Sequence, residues 1–167
     1  MNLSFLRIKE TLFCLLFFVC LHAVAVAQSN FAYTKVEGKQ LSGRLAAMQN
    51  VNNFGRLPVS LKAEVRDAVW HLGENAAGLY VDFRTDADTI VIKYKVKGSL
   101  NMAHMPTIGV SGVDLYFHNN TKHSWEWAFG RYQFKDTIQY IYSNIGHNIN
   151  GTYRLYLPLY NLSLIHI

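Results

Sequence analysis

Ser111 stands in the stretch Gly109-Val110-Ser111-Gly112 and is the first side chain to weigh as a nucleophile. A nucleophile elbow needs a second glycine two residues after the serine and a helix behind it. Val113 occupies that position and a strand pattern follows, so Ser111 reads as a plain strand residue. Asp114 and His118 are four apart on the same predicted strand. They project to one face but are well separated along it, too far for an acid–base pair. A carboxylate in an apolar strand must find hydrogen-bond partners. Asp114 is therefore expected to be satisfied locally and to be structural. The histidines beyond the leader are His71, His104, His118, His123, His147 and His166. None makes a His-x-His or a tight metal pair with a carboxylate at helical spacing, so no metal site and no cofactor is predicted. Cys14 and Cys20 both fall in the leader, which removes thiol chemistry, disulfides and cysteine-based metal sites from the rest of the chain.

Two constellations remain as binding candidates. Trp125 and Trp127 flank Glu126, so both rings face one way, and Phe129 extends the stripe. Such a stripe is either core or a stacking platform for a sugar, and core is the expectation. Arg84, Asn75 and His104 lie in or next to loops, where binding groups collect.

The elements that must position these residues are short strands. "GLYVDFR" alternates, with Leu79, Val81 and Phe83 on one face and Tyr80, Asp82 and Arg84 on the other. "TIVIKYKVKG" alternates again after the turn cluster "TDAD", and the two runs predict an antiparallel hairpin with one wet face. "VSGVDLYFHN", "WEWAFGRYQF", "DTIQYIYSNI" and "YRLYLPLYN" each read as a strand, separated by "NNTKHS" and "GHNINGT" as turns. In "SLKAEVRDAVW" a short helical look at Leu61 to Val65 gives way to a strand-like Val69 and Trp70. Residues 28–57 read as an irregular lead-in, with Leu41, Leu45 and Met48 able to make a helical turn. The pattern predicts an all-β, antiparallel, jelly-roll-like β-sandwich.

The first 27 residues do not belong to that fold. Arg7 and Lys9 precede the apolar run "LFCLLFFVCLHAVAVA", which ends on the small-x-small site Ala25-Val26-Ala27. This is the pattern of a cleaved signal peptide, too short for a membrane anchor. It places the chain outside the cytoplasm, periplasmic or extracellular, with no stable membrane span after cleavage. The net charge is +5, and loss of Arg7, Lys9 and Glu10 with the leader lowers it by one. The cations are scattered, and no basic helix is present, so nucleic acid is not an expected partner.

Gly112-Val113-Asp114-Leu115-Tyr116 resembles the Gly-x-Asp-Leu-Tyr signature of the N-terminal domain of SGNH/GDSL-hydrolase-type esterases. "AVWHLGENAAGLYVDFRTDADTIVIKY", "MAHMPTIGVSGVDLY" and "YRLYLPLYN" resemble its hairpin region, its loop with signature strand and its closing strand, over residues 58–161. The resemblance implies a non-catalytic accessory sandwich that precedes a hydrolase domain carrying a Ser-His-Asp triad. No Gly-Asp-Ser block and no late Asp-x-x-His is present here. It also implies that the sandwich packs on the missing C-terminal domain, with the loop His104-Met105-Pro106 at the rim of a site for an ester substrate. Gly112, Asp114, Leu115 and Tyr116 then have structural roles. A free-standing carbohydrate-binding module, using Trp125 and Trp127, is the alternative. Residues 162–167, "LSLIHI", match the translation of a transposon-end sequencing adapter, and the expectation is an artefact on a truncated gene.

Overall fold

The computed structural model describes residues 31–48, 50–145, 151–161 and 163–167. The predicted leader and the core of the "GHNINGT" turn lie outside them. Two four-stranded antiparallel sheets make the body of the unit spanning Tyr33–Ile167. The first holds β1 (Tyr80–Thr85), β7 (Gly151–Tyr156), β3 (Asp114–Asn119) and β4 (Ser124–Ala128), in that order. The second holds β5 (Arg131–Gln133), β6 (Ile138–Ser143), β2 (Thr89–Val96) and β8 (Ser163–His166). Among the described residues no helix is long and apolar enough to cross a membrane.

The alternation read from the sequence orients the strands. Val81 and Phe83 turn to the core while Asp82 and Arg84 are exposed. Leu115, Leu155, Ile138, Tyr140, Tyr142 and Tyr153 fill the space between the sheets. Each fully buried aliphatic side chain contributes roughly 1.5–3 kcal/mol.

Pairing departs from the sequence expectation in four places. β1 and β2 are not a hairpin: β1 pairs with β7, and β2 lies between β6 and β8. The other edge of β1 is taken by a bridge between Ser42 and Tyr80. The short connector Asp86-Ala87-Asp88 therefore crosses between sheets. "WEWAFGRYQF" is likewise two strands in different sheets, and Gly130 marks the crossing. A Cβ there would stand 2.6 Å from the Tyr142 ring, so only glycine lets the chain pass. Val69 and Trp70 lie in α1 (Asp67–Gly73), not in a strand. Asp67 in its first turn suits the positive helix end. Finally, Val110 and Ser111 end a one-turn helix, α2 (Thr107–Ser111), whose N-cap is Pro106. Proline is extended there and has no N–H to leave unpaired.

The lead-in is irregular yet packed. Val36, Leu41 and Met48 are buried, whereas Leu45 is exposed. Arg44 donates to the carbonyls of Gly38, Val51 and Asn53, tying its loops together. The backbone of Thr34 and Val36 bonds to Ile167 and Ile165, so the lead-in lies along β8. Residues 163–166, the stretch expected to be adapter-derived, occupy the strand position beside β2, with Ile165 in the core.

Candidate functional site

Ser111 is fully buried. Its hydroxyl donates to the Leu100 carbonyl at 2.9 Å and accepts from Asn161 Nδ2 at 2.7 Å. Asn161, also buried, donates to the Ser99 carbonyl and accepts from the Gly98 N–H, both at 2.9 Å. Its own carbonyl accepts from the Ala76 N–H. Asn161 thus ties the segment after β7 through its side-chain amide to the 98–100 loop and the end of α2, and through its main-chain carbonyl to the approach to β1. The hub contains no histidine and no carboxylate, so nothing in it can take a proton from Ser111. A buried polar cluster satisfied in this way specifies packing.

The Gly-x-Asp-Leu-Tyr segment leaves this hub directly. A Cβ on Gly112 would stand 2.2 Å from the Ile108 carbonyl oxygen and 2.8 Å from the Tyr140 hydroxyl. Glycine is therefore required by close approach, at an ordinary extended φ of −73°. Tyr94, Tyr140 and Tyr142 form a stacked row on the inner face of the second sheet. The Tyr94 hydroxyl donates to the Ser111 carbonyl at 2.6 Å, and Tyr142 reaches the Val113 carbonyl at 3.4 Å. Burial pushes the Tyr140 phenol up to about 12 and raises Tyr94 and Tyr142 further. All three remain protonated at any working pH. Leu115 is wholly in the core, and Tyr116 points outward, edge-on to Tyr156.

Asp114 has a local hydrogen-bond partner, but at the surface. It is exposed on the outer face, where its Oδ1 accepts from Trp127 Nε1 at 3.1 Å. Strand parity explains this: Leu115 faces the core, so its neighbour must face out.

The tryptophan stripe is corrected from core to surface. Trp125, Trp127 and Phe129 are 38%, 54% and 71% exposed. In β4 the inward residue is the small Ala128, opposite Leu115, and the large rings take the outer face. Beside them Arg154 makes a bidentate pair with Asp82, both contacts at 2.8 Å, which raises its pKa. Its guanidinium lies 4.0 Å from the Tyr80 ring centre and 4.6 Å from that of Trp125. His118 abuts Trp125 edge-on. The rings are not coplanar: Trp127 and Phe129 meet at 70°.

The loop before α2 is held by reciprocal backbone bonds between Met102 and Met105, both 3.1 Å. Met105 packs over Gly109, while His104 and Pro106 are exposed. The loop and the tryptophan pair are separate places, joined by no hydrogen bond or ring contact among the described residues. Within those residues no group of three or more metal-ligating side chains is brought together. Two open hollows lie elsewhere, of about 500 Å³ beside Gly98, Leu100 and Ile138 and about 550 Å³ beside Arg44, Arg56 and Leu72.

Sequence reasoning missed the Asn161 hub, the tyrosine row and the Arg154 stack. Only Asn161 carried a signal, as a lone amide between two apolar runs.

The architecture is that of an antiparallel sandwich whose tyrosines clamp the start of a Gly-x-Asp-Leu-Tyr strand. Residues 31–164 match the GxDLY family, the N-terminus of SGNH-hydrolase-type esterases, and the chain belongs to that family. A GDSL-like lipase structure from Bacteroides ovatus is similar, with a TM-score of 0.66 at 23% identity. The likeness covers 81% of this chain and 41% of that one, so the chain spans about two-fifths of the lipase's length. No curated protein matches.

Proposed function

We propose that this sandwich is the non-catalytic accessory domain of an exported SGNH-type carboxylic-ester hydrolase, and that it packs on a C-terminal catalytic domain of its parent chain. The observation that carries this reading is the family match over residues 31–164, taken with the enclosure of Ser111 in the Asn161 hub. Ester hydrolysis needs an activated nucleophile, a base and oxyanion donors. The hub supplies no base to Ser111. In the loop His104-Met105-Pro106, His104 and Pro106 are exposed and Met105 packs over Gly109 beneath them, as in a rim element. The leader in residues 1–27 directs export.

The test is the uninterrupted reading frame beyond Asn161 and the turnover of a chromogenic acetate ester. The chain described here should give none, and the full frame should be active. Turnover by this chain that disappears in Ser111→Ala would overturn the reading.

The exposure of Trp125 and Trp127 favours a second reading, a carbohydrate-binding module. It predicts tryptophan fluorescence that iodide quenches and that an added oligosaccharide protects.

A further inference from the structure

Resting on the accessory-domain reading, we propose that the outer face of the first sheet, on its β3–β4 side, is the surface on which the hydrolase portion docks. Three large rings, Trp125, Trp127 and Phe129, stand exposed together on this face. An apolar group of that size on a domain surface marks an interaction site. The two tryptophans are held in place. Trp127 is fixed through its Nε1 by Asp114, and Trp125 is packed between Arg154 and His118. Rings already fixed lose little freedom on binding. The charge of Arg154 is neutralised by Asp82, so the face can be covered without stranding a lone cation. Trp, Tyr and Arg together are the residues that dominate protein–protein binding energy.

The shape selects the class of partner. A pyranose stacks on a flat ring or sits in a groove. Here Trp127 meets Phe129 at 70° and Trp125 meets His118 at 75°. A ridged sheet face suits the broad surface of a folded domain. The second sheet offers a poorer one: its outer face carries Lys93 and Lys95, and the Tyr33 ring already lies against Lys93 at 4.6 Å. The partner is the hydrolase because the family is the N-terminal part of a longer esterase. The similar lipase chain extends well beyond the 41% that this chain matches.

The experiment uses the full reading frame, with Trp127→Glu and Phe129→Glu made separately and Leu72→Glu on exposed α1 as the control. Circular dichroism reports folding, and Phe129, the most exposed of the rings, carries the test if the tryptophan variant fails to fold. Docking is read by small-angle scattering and by the rate of proteolysis between the domains. The expected result is an extended particle and cleavage roughly tenfold faster or more in the two face variants, as for loss of a binding hot spot, with the control unchanged. A full frame that hydrolyses esters, and whose shape and cleavage rate are the same in all variants, overturns the docking face and leaves the accessory-domain reading standing. A frame with no hydrolase overturns both. Tryptophan protection by an oligosaccharide that persists in the full frame, or a dimer of this chain that Trp127→Glu dissolves, assigns the face to another occupant and also overturns the proposal.

Discussion

The Asn161–Ser111 hub and the Asp82–Arg154–Trp125 group are both polar constellations, and they differ in what surrounds them. In the hub two buried side chains bond to each other and to the backbone around them. Removing a member strands the others. In the outer group the ion pair is partly exposed and its neighbours are rings with open faces. Removing a member there leaves water to satisfy the rest. Burial therefore makes the first constellation structural, whereas exposure makes the second available to a partner.

The largest expected effect tests the buried side. Asn161→Ala removes the acceptor for Gly98 N–H and the donor for Ser99 and Ser111. Each stranded group costs about 1–3 kcal/mol, so a loss near the top of that range is expected in urea denaturation. A loss below about 0.5 kcal/mol, typical of surface positions, would show that water already shares the hub.

Gly112→Ala comes next. Its Cβ meets a backbone carbonyl that cannot swing aside and the Tyr140 hydroxyl. Overpacking of this kind costs about 1–3 kcal/mol. Thermal unfolding measures it, and an unchanged Tm would mean that α2 can shift.

The tyrosine row sharpens the comparison within the interior. Tyr94→Phe loses a 2.6 Å bond to the Ser111 carbonyl and should cost about 1 kcal/mol. Tyr140 has no geometrically sound partner for its hydroxyl among the described residues, so Tyr140→Phe should be nearly neutral. The row also predicts alkaline sensitivity. The folded phenols lie above their ordinary value of 10.0, with Tyr140 at about 12. The folded state then holds these protons more tightly than the unfolded chain. Their contribution is complete below pH 10, the unfolded value, and is lost as pH rises through the folded values. Denaturation midpoints should be flat to about pH 10 and fall above it. Tyr140→Phe should lessen the fall between pH 10 and 12.

The smallest effect belongs to the outer face. Asp114→Ala should change stability by no more than about 0.5 kcal/mol, because water can replace it at Trp127. A loss as large as that of Asn161→Ala would erase the distinction between the two constellations.

Much of this protein was legible in its residues. Period-two alternation assigned Val81 and Phe83 to one side and Asp82 and Arg84 to the other. The Gly112–Tyr116 signature pointed to the family that the match over residues 31–164 establishes. What alternation cannot state is which side is inside, or which sheet a strand joins. In β4 the bulk of Trp125 and Trp127 suggested core, but Leu115, Leu155 and Tyr153 already fill the interior, and Ala128 is what fits beneath them. "GLYVDFR" and "TIVIKYKVKG" looked like a hairpin because they are adjacent in sequence. Closing a sandwich instead sends the chain across to the other sheet, where β2 gains pairing on both edges. The sequence by itself determined the strand periodicities and the lack of a nucleophile elbow, since these depend on a residue and its near neighbours. Only the tertiary structure decided the sheet partners, the Asn161 hub and the outward aromatic face, because each depends on segments far apart in the chain competing for one limited core.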